Sequence, residues 1–301
     1  MTSNYIFGCM LVLFAACNPA LEKRSEKIDD APAITQSDIT FIVAGKTGNY
    51  RQSPEGALSV LNFHFFAEIF LQASGKVDNS SIETPAVGGV SIPFADSGYA
   101  LEMHGGRYST KTELEAAYPN GNYLFNYTAP SIGVKQQTVR VGDPQSKSSP
   151  IPAPPTILLS QQGRPVAADR INPVFDLLVN WSAFSEGGAD PLAIMDDLLF
   201  VIMGDCHGVR RAHSGRPFEG TAYLTYRDKS YVITADKLLP ENVYQLSVEH
   251  AILDTSIEYA VPAFATYATT TFLDIHTLGE AEAGQACDVI RNNFDAGQVA
   301  L

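Results

Sequence analysis

The sequence predicts an all-β protein, two tandem β-sandwich domains behind an N-terminal leader and a tether. Two observations carry this. Large side chains recur with period two at Tyr123, Phe125 and Tyr127, at Leu177, Val179 and Trp181, and at Tyr244, Leu246 and Val248. That period puts alternate residues on opposite faces of a strand, one of them buried. Between the first of these runs and the others, the stretch from Gly142 to Pro155 is dense in proline and serine, the composition of an extended spacer. A length of 301 residues leaves room for two domains of ordinary size.

The first segment, 1–16, reads as a signal peptide. Tyr5 to Ala16 is apolar and uncharged, too short to cross a bilayer, which takes about 20 residues of helix. Phe14, Ala15, Ala16 and Cys17 resemble a bacterial lipobox, with Phe14 where Leu is usual and no Lys or Arg before the apolar run. Small residues fit the peptidase and the thiol accepts the acyl chains. The resemblance implies a lipoprotein lipidated at Cys17, held in the membrane of the cell envelope, and Asn18 resembles the signal for the outer membrane in a diderm cell. Two or more lipid chains anchor a protein stably. An ordinary secretory signal cleaved nearby is the alternative, and export follows from either.

Residues 17–37 are polar and charged without apolar periodicity, a flexible tether. The first domain, 38–142, opens on the apolar run Phe41 to Val43. A second run, Phe65 to Leu71, is read as a strand although its length also suits a helix. Thr112 to Tyr118 carries helix formers behind a threonine cap, Pro119, Asn120 and Gly121 form a turn, and Thr138 to Val141 alternates as a last strand. The linker is 143–154. The second domain, 155–277, exceeds the usual size by an insertion placed at 204–220, and an acidic tail, 278–301, follows with a short helical pattern near Cys287 to Phe294.

The second domain carries Trp181 on an early strand and then Leu238, Pro240 and Tyr244 ahead of an alternating run. This resembles fibronectin type III domains, where a core tryptophan and a tyrosine corner recur, the tyrosine hydroxyl bonding backbone just upstream. The resemblance implies those roles for Trp181 and Tyr244, with Pro240 fixing the turn. Through Leu114, Pro119, Gly121 and Tyr123 the first domain resembles Ig-like modules more loosely. The pair is similar to uncharacterised exported bacterial proteins with tandem modules, a resemblance that implies no activity.

Charge and motifs narrow the function. A net charge of −13, from 33 acidic and 20 basic residues, argues against nucleic acid, whose phosphates need clustered Lys and Arg. Gly45, Lys46 and Thr47 match only the end of a phosphate-binding loop, without the upstream glycine or a following helix. Hydrolase elbows and paired-cysteine or His-Glu-x-x-His zinc signatures do not occur. Asp196 and Asp197 are adjacent, so on a strand they face apart; a turn before Leu198 is expected there.

No catalytic residue, cofactor or metal is therefore assigned. With Cys9 in the leader and Cys17 lipidated, Cys206 and Cys287 remain, either as a disulfide suited to an oxidising compartment or as two buried thiols. The polar cluster Asp205, His207, Arg210, Arg211, His213 and Arg216 is the expected binding loop, since sandwiches place function on loops. Asp205, His207 and His213 offer zinc-type donors at a spacing that matches no standard site. The expected function is a lipid-anchored adhesion, ligand-binding or spacer module for an unidentified protein or glycan. The alternative is an envelope hydrolase or carbohydrate-binding accessory working through 204–220.

Overall fold

The computed structural model describes residues 38–72, 76–86, 89–146, 148–282 and 286–287. The leader, the tether, the lipidation position Cys17 and the helical pattern expected after Cys287 lie outside them. Strands dominate. The first half holds β1 (Ile39–Gln52), β2 (Leu58–Leu71), β3 (Asp78–Glu83), β4 (Ser91–Pro93), β5 (Ala95–Asp96), β6 (Ala100–Tyr108), β7 (Gly121–Ala129) and β8 (Gly133–Val141). A short helix, α1 (Lys111–Ala117), precedes β7. The second half holds β9 (Ile157–Gln161), β10 (Arg164–Pro165), β11 (Leu177–Trp181), β12 (Leu198–Asp205), β13 (Arg210–His213), β14 (Leu224–Thr225), β15 (Ser230–Ile233), β16 (Val243–Glu258) and β17 (Val261–His276).

Phe65 to Leu71 is strand, because Phe65, Ala67 and Ile69 are buried on one side and β2 bonds β1 on one edge and β6 on the other. The helix is capped by Thr110, whose hydroxyl accepts from the Glu113 N–H while the Glu113 carboxylate accepts from the Thr110 N–H, a capping box.

The strands form a nine-stranded sheet, in the order β13-β12-β16-β17-β1-β2-β6-β5 with β14 beside β12, and two four-stranded sheets, β4-β3-β7-β8 and β10-β9-β11-β15. The large sheet runs through both halves of the chain. Its first strand lies parallel to its last, Ile42 opposite Ala263 through Arg51 opposite Phe272. The two expected domains thus share a sheet, and the described residues fall within one compact unit.

Two cores lie between layers. In one, Ile42, Ala44, Phe65 and Ile69 of the large sheet meet Ile82, Tyr123, Phe125 and Val139, with Ala265 and Tyr267 of β17 contributing. In the other, Val201, Tyr244, Leu246 and Leu273 meet Ile157, Val179 and Trp181. Burial of such side chains stabilises the fold by roughly 1.5–3 kcal/mol each.

The segment 143–154, expected as a spacer with little to pack on, is instead held against the body. Pro152 and Ser149 are buried, the Pro152 carbonyl accepts from the Thr269 hydroxyl at 2.6 Å, and the Ser149 N–H donates to Glu115 at 2.7 Å. Proline cannot donate, but its carbonyl still accepts, and Thr269 of β17 supplies the donor. Beneath α1, Lys46 is fully buried. Its ammonium donates to Glu115 and to Asn120, the latter at 2.8 Å. The Gly45, Lys46, Thr47 sequence is therefore a strand interior with its lysine committed to an ion pair.

Candidate functional site

The cluster at 204–220, expected as an insertion, is a hairpin followed by a loop, so part of it is strand. Gly204 and Asp205 end β12, and β13 returns from Arg210 to His213. Asp205 makes the turn: its buried carboxylate accepts from the N–H groups of His207 and Val209, both at 2.9 Å, and from the Arg211 guanidinium at 2.8 and 2.7 Å. These bonds commit Asp205 and Arg211 to the turn. Cys206 is joined to Cys287 in a disulfide with Cα atoms 6.1 Å apart, within the ordinary range. His207 is exposed beside it. The donor atoms of Cys206, His207 and Cys287 lie within 4.8 Å of one another.

The six residues expected to act together separate. Asp205, His207 and Arg211 gather at the hairpin turn, whereas Arg210 and His213 begin and end the edge strand β13 and Arg216 follows in the loop, these three lying within one another's field. His213 Nδ1 accepts from the Gly215 N–H at 3.0 Å. Burial, with Arg216 and Arg210 nearby, pushes its pKa down to about 4, so the ring is neutral. Arg216 retains 14% exposure and lies in the field of Glu219, Tyr99 and Glu68, with Arg210 opposing.

That field marks a surface the sequence reading missed, the face of the large sheet turned away from both main cores. Val43, Phe264, Ala268, Ala251 and Leu198 are buried there, and Phe41, Phe66, Phe70 and Phe200 are half-buried against them. Aromatic rings form a strip across it. Phe41 stacks on Phe70 with centroids 4.2 Å apart, Phe70 approaches Tyr99 at 6.4 Å, and Phe218 from the loop after β13 reaches Phe41 at 5.3 Å. Tyr99 and Phe218, at the two ends, are exposed.

Carboxylates sit beside this strip. Glu68 on β2 stands directly opposite Glu102 on β6, a cross-strand pair that would repel if both carboxyls were ionised. Burial, reinforced by Glu102 and Glu249 and opposed by Arg216, pushes the Glu68 pKa up to about 8. Glu68 therefore holds its proton at neutral pH. Glu102 accepts from the Ser97 hydroxyl at 2.8 Å, and Glu249 on β16 accepts from the Thr270 hydroxyl at 2.6 Å while burial raises its pKa. Nothing in the local sequence joins these residues, because their meeting depends on strand register between distant segments.

The remaining expected residues are structural. Trp181 is 8% exposed within the second core. The Tyr244 hydroxyl accepts from the Leu239 N–H at 2.6 Å, just upstream, and Pro240 lies in the same turn, its carbonyl accepting from the Asn242 side chain. Tyr123 also bonds backbone just upstream, but as the donor, to the Pro119 carbonyl at 2.8 Å. Asp196 pairs with Arg227, whereas Asp197 accepts from the N–H groups of Gly188 and Leu253, so the adjacent carboxyls serve different partners. No helix among the described residues is long and apolar enough to cross a membrane. Comparison by sequence finds no family model and no curated protein that matches this chain.

Proposed function

We propose that the protein is an exported lipoprotein, held in the cell envelope through Cys17, that binds a glycan on the outer face of its large sheet. In this reading the two halves are Ig-like and fibronectin type III-like sandwiches that carry the binding face away from the membrane. Export rests on the apolar leader and its Ala16-Cys17 junction, and the Cys206 to Cys287 disulfide suits an oxidising compartment.

The observation that carries the binding reading is the strip Tyr99, Phe70, Phe41 and Phe218 flanked by Glu102 and Arg216. Aromatic faces pack against the apolar faces of sugar rings, and a few placed polar groups fix orientation. Calorimetric titration of envelope oligosaccharides into the full chain tests this, with Phe218→Ala and Tyr99→Ala each weakening affinity about tenfold while circular dichroism is unchanged. Affinities unaltered by both substitutions defeat it.

An envelope hydrolase is the second reading, favoured by one feature: strand register gathers the carboxyl groups of Glu68, Glu102 and Glu249 beside the strip, with burial raising the Glu68 pKa to about 8. Release of reducing ends from the same oligosaccharides, lost in Glu68→Gln, separates catalysis from binding.

A further inference from the structure

We infer that Cys206, His207 and Cys287 are a redox-gated site for a thiophilic divalent metal, closed as the disulfide and open when the pair is reduced. The inference is independent of the aromatic strip. A tetrahedral zinc ion bound by two thiolates and one imidazole needs its sulfurs roughly 3.8 Å apart and each sulfur roughly 3.6 Å from the nitrogen, from bond lengths of about 2.3 and 2.0 Å. Cys287 Sγ is already 3.9 Å from His207 Nε2, and all three donors fall within 4.8 Å.

Besides the sulfur–sulfur bond, hydrogen bonds hold the backbone that carries each ligand. Cys287 is pinned beside β16 by two hydrogen bonds, its N–H donating to the Glu241 carbonyl at 3.2 Å and its carbonyl accepting from the Val243 N–H at 2.8 Å. Cys206 follows the last residue of β12. The turn that presents His207 is fixed by Asp205, which accepts from the His207 and Val209 N–H groups and is itself gripped by Arg211. When the disulfide opens, the sulfurs can move apart by the small distance a metal requires while their backbones stay in place. Both cysteines are buried and His207 is exposed, so the ion enters from the imidazole side and water completes its coordination.

The chemistry balances with an external dithiol as reductant. It gives two electrons and two protons to the disulfide, yielding two thiols and its own disulfide by exchange. The metal then displaces the two thiol protons as it binds the thiolates.

The test uses the full chain carrying Cys9→Ser and Cys17→Ser, so that the pair supplies all the thiols. Cobalt(II) is titrated into the oxidised protein and into protein reduced by a dithiol and desalted without air. The reduced form is expected to take up one equivalent with thiolate-to-cobalt absorption that zinc abolishes, and the oxidised form none. His207→Ala, which leaves the disulfide able to form, is expected to weaken cobalt binding at least about tenfold, and Cys287→Ser to remove the thiolate band. Absence of that band in reduced protein overturns the inference. So does equal affinity in His207→Ala, or loss of the β-sheet circular dichroism spectrum on reduction alone.

Discussion

Replacing Glu68 by glutamine changes how stability depends on pH, and the direction follows from the cross-strand pair. In the unfolded chain Glu68 ionises near the ordinary 4.5, whereas in the folded chain burial and the facing Glu102 hold its proton until about pH 8. Between those values the folded state carries one more proton than the unfolded state. Stability therefore falls as pH rises: the advantage of the protonated carboxyl is complete below 4.5 and is lost through 8. The slope approaches about 1.4 kcal/mol per pH unit, so from about pH 5.5 to 7.5 the wild type loses roughly 2–3 kcal/mol on this account alone. A glutamine at this position has nothing to ionise and keeps the same shape.

Urea unfolding at several pH values measures the effect as the difference between the two proteins, which cancels the titration of other groups such as His64 and His250. The Glu68→Gln protein is expected to gain on the wild type steadily over that interval and to keep the advantage above it. Parallel stability curves refute the claim that the buried carboxyl is protonated at neutral pH.

Lys46→Met leaves the Glu115 carboxylate without its buried cation and is expected to cost about 3–5 kcal/mol in denaturant melts, with part recovered when Glu115→Leu is added. Trp181→Ala empties a large site in the second core and is expected to cost roughly 3–5 kcal/mol by the same measurement; a change within about 0.5 kcal/mol contradicts its placement. Cys206→Ser removes a cross-link between residues 81 apart, worth at most about 4–5 kcal/mol in the chain-entropy view, read from thermal melts of the variant against oxidised wild type.

What could be read from the sequence was what is local to a strand or a turn. Alternation exposed β7, β11 and the start of β16, and the spacing of Leu238, Pro240 and Tyr244 located a turn whose tyrosine hydroxyl bonds back to Leu239. The pairing of β1 with β17 left no such trace, since each strand alternates in the same way whichever neighbour it has. For the same reason the proline-rich segment read as a divider, although Ser149 and Pro152 are tied to α1 and β17. The sequence ruled out a phosphate loop at Lys46 but could not supply its actual role, because its partner, Glu115, lies on another element 69 residues away.

The site was legible in pieces only. Cysteine arithmetic singled out Cys206 and Cys287, and the charge cluster drew attention to His207 and Arg216. That His207 faces Cys287 while Arg216 lies near Glu68 is decided by the hairpin turn and the sheet register. Glu68 and Glu102 could be recognised as a pair only once β2 and β6 were known to be aligned.

The parallel contact between β1 and β17 also sets the order in which the molecule can be completed. During synthesis β1 and β2 emerge early, yet one long edge of β1 stays unpaired until the residues around Thr270 arrive. An exposed edge of that length is a template for another chain, and contacts between distant segments form slowly. Until that contact forms, assembly of this protein passes through a stage in which a bare strand edge invites self-association.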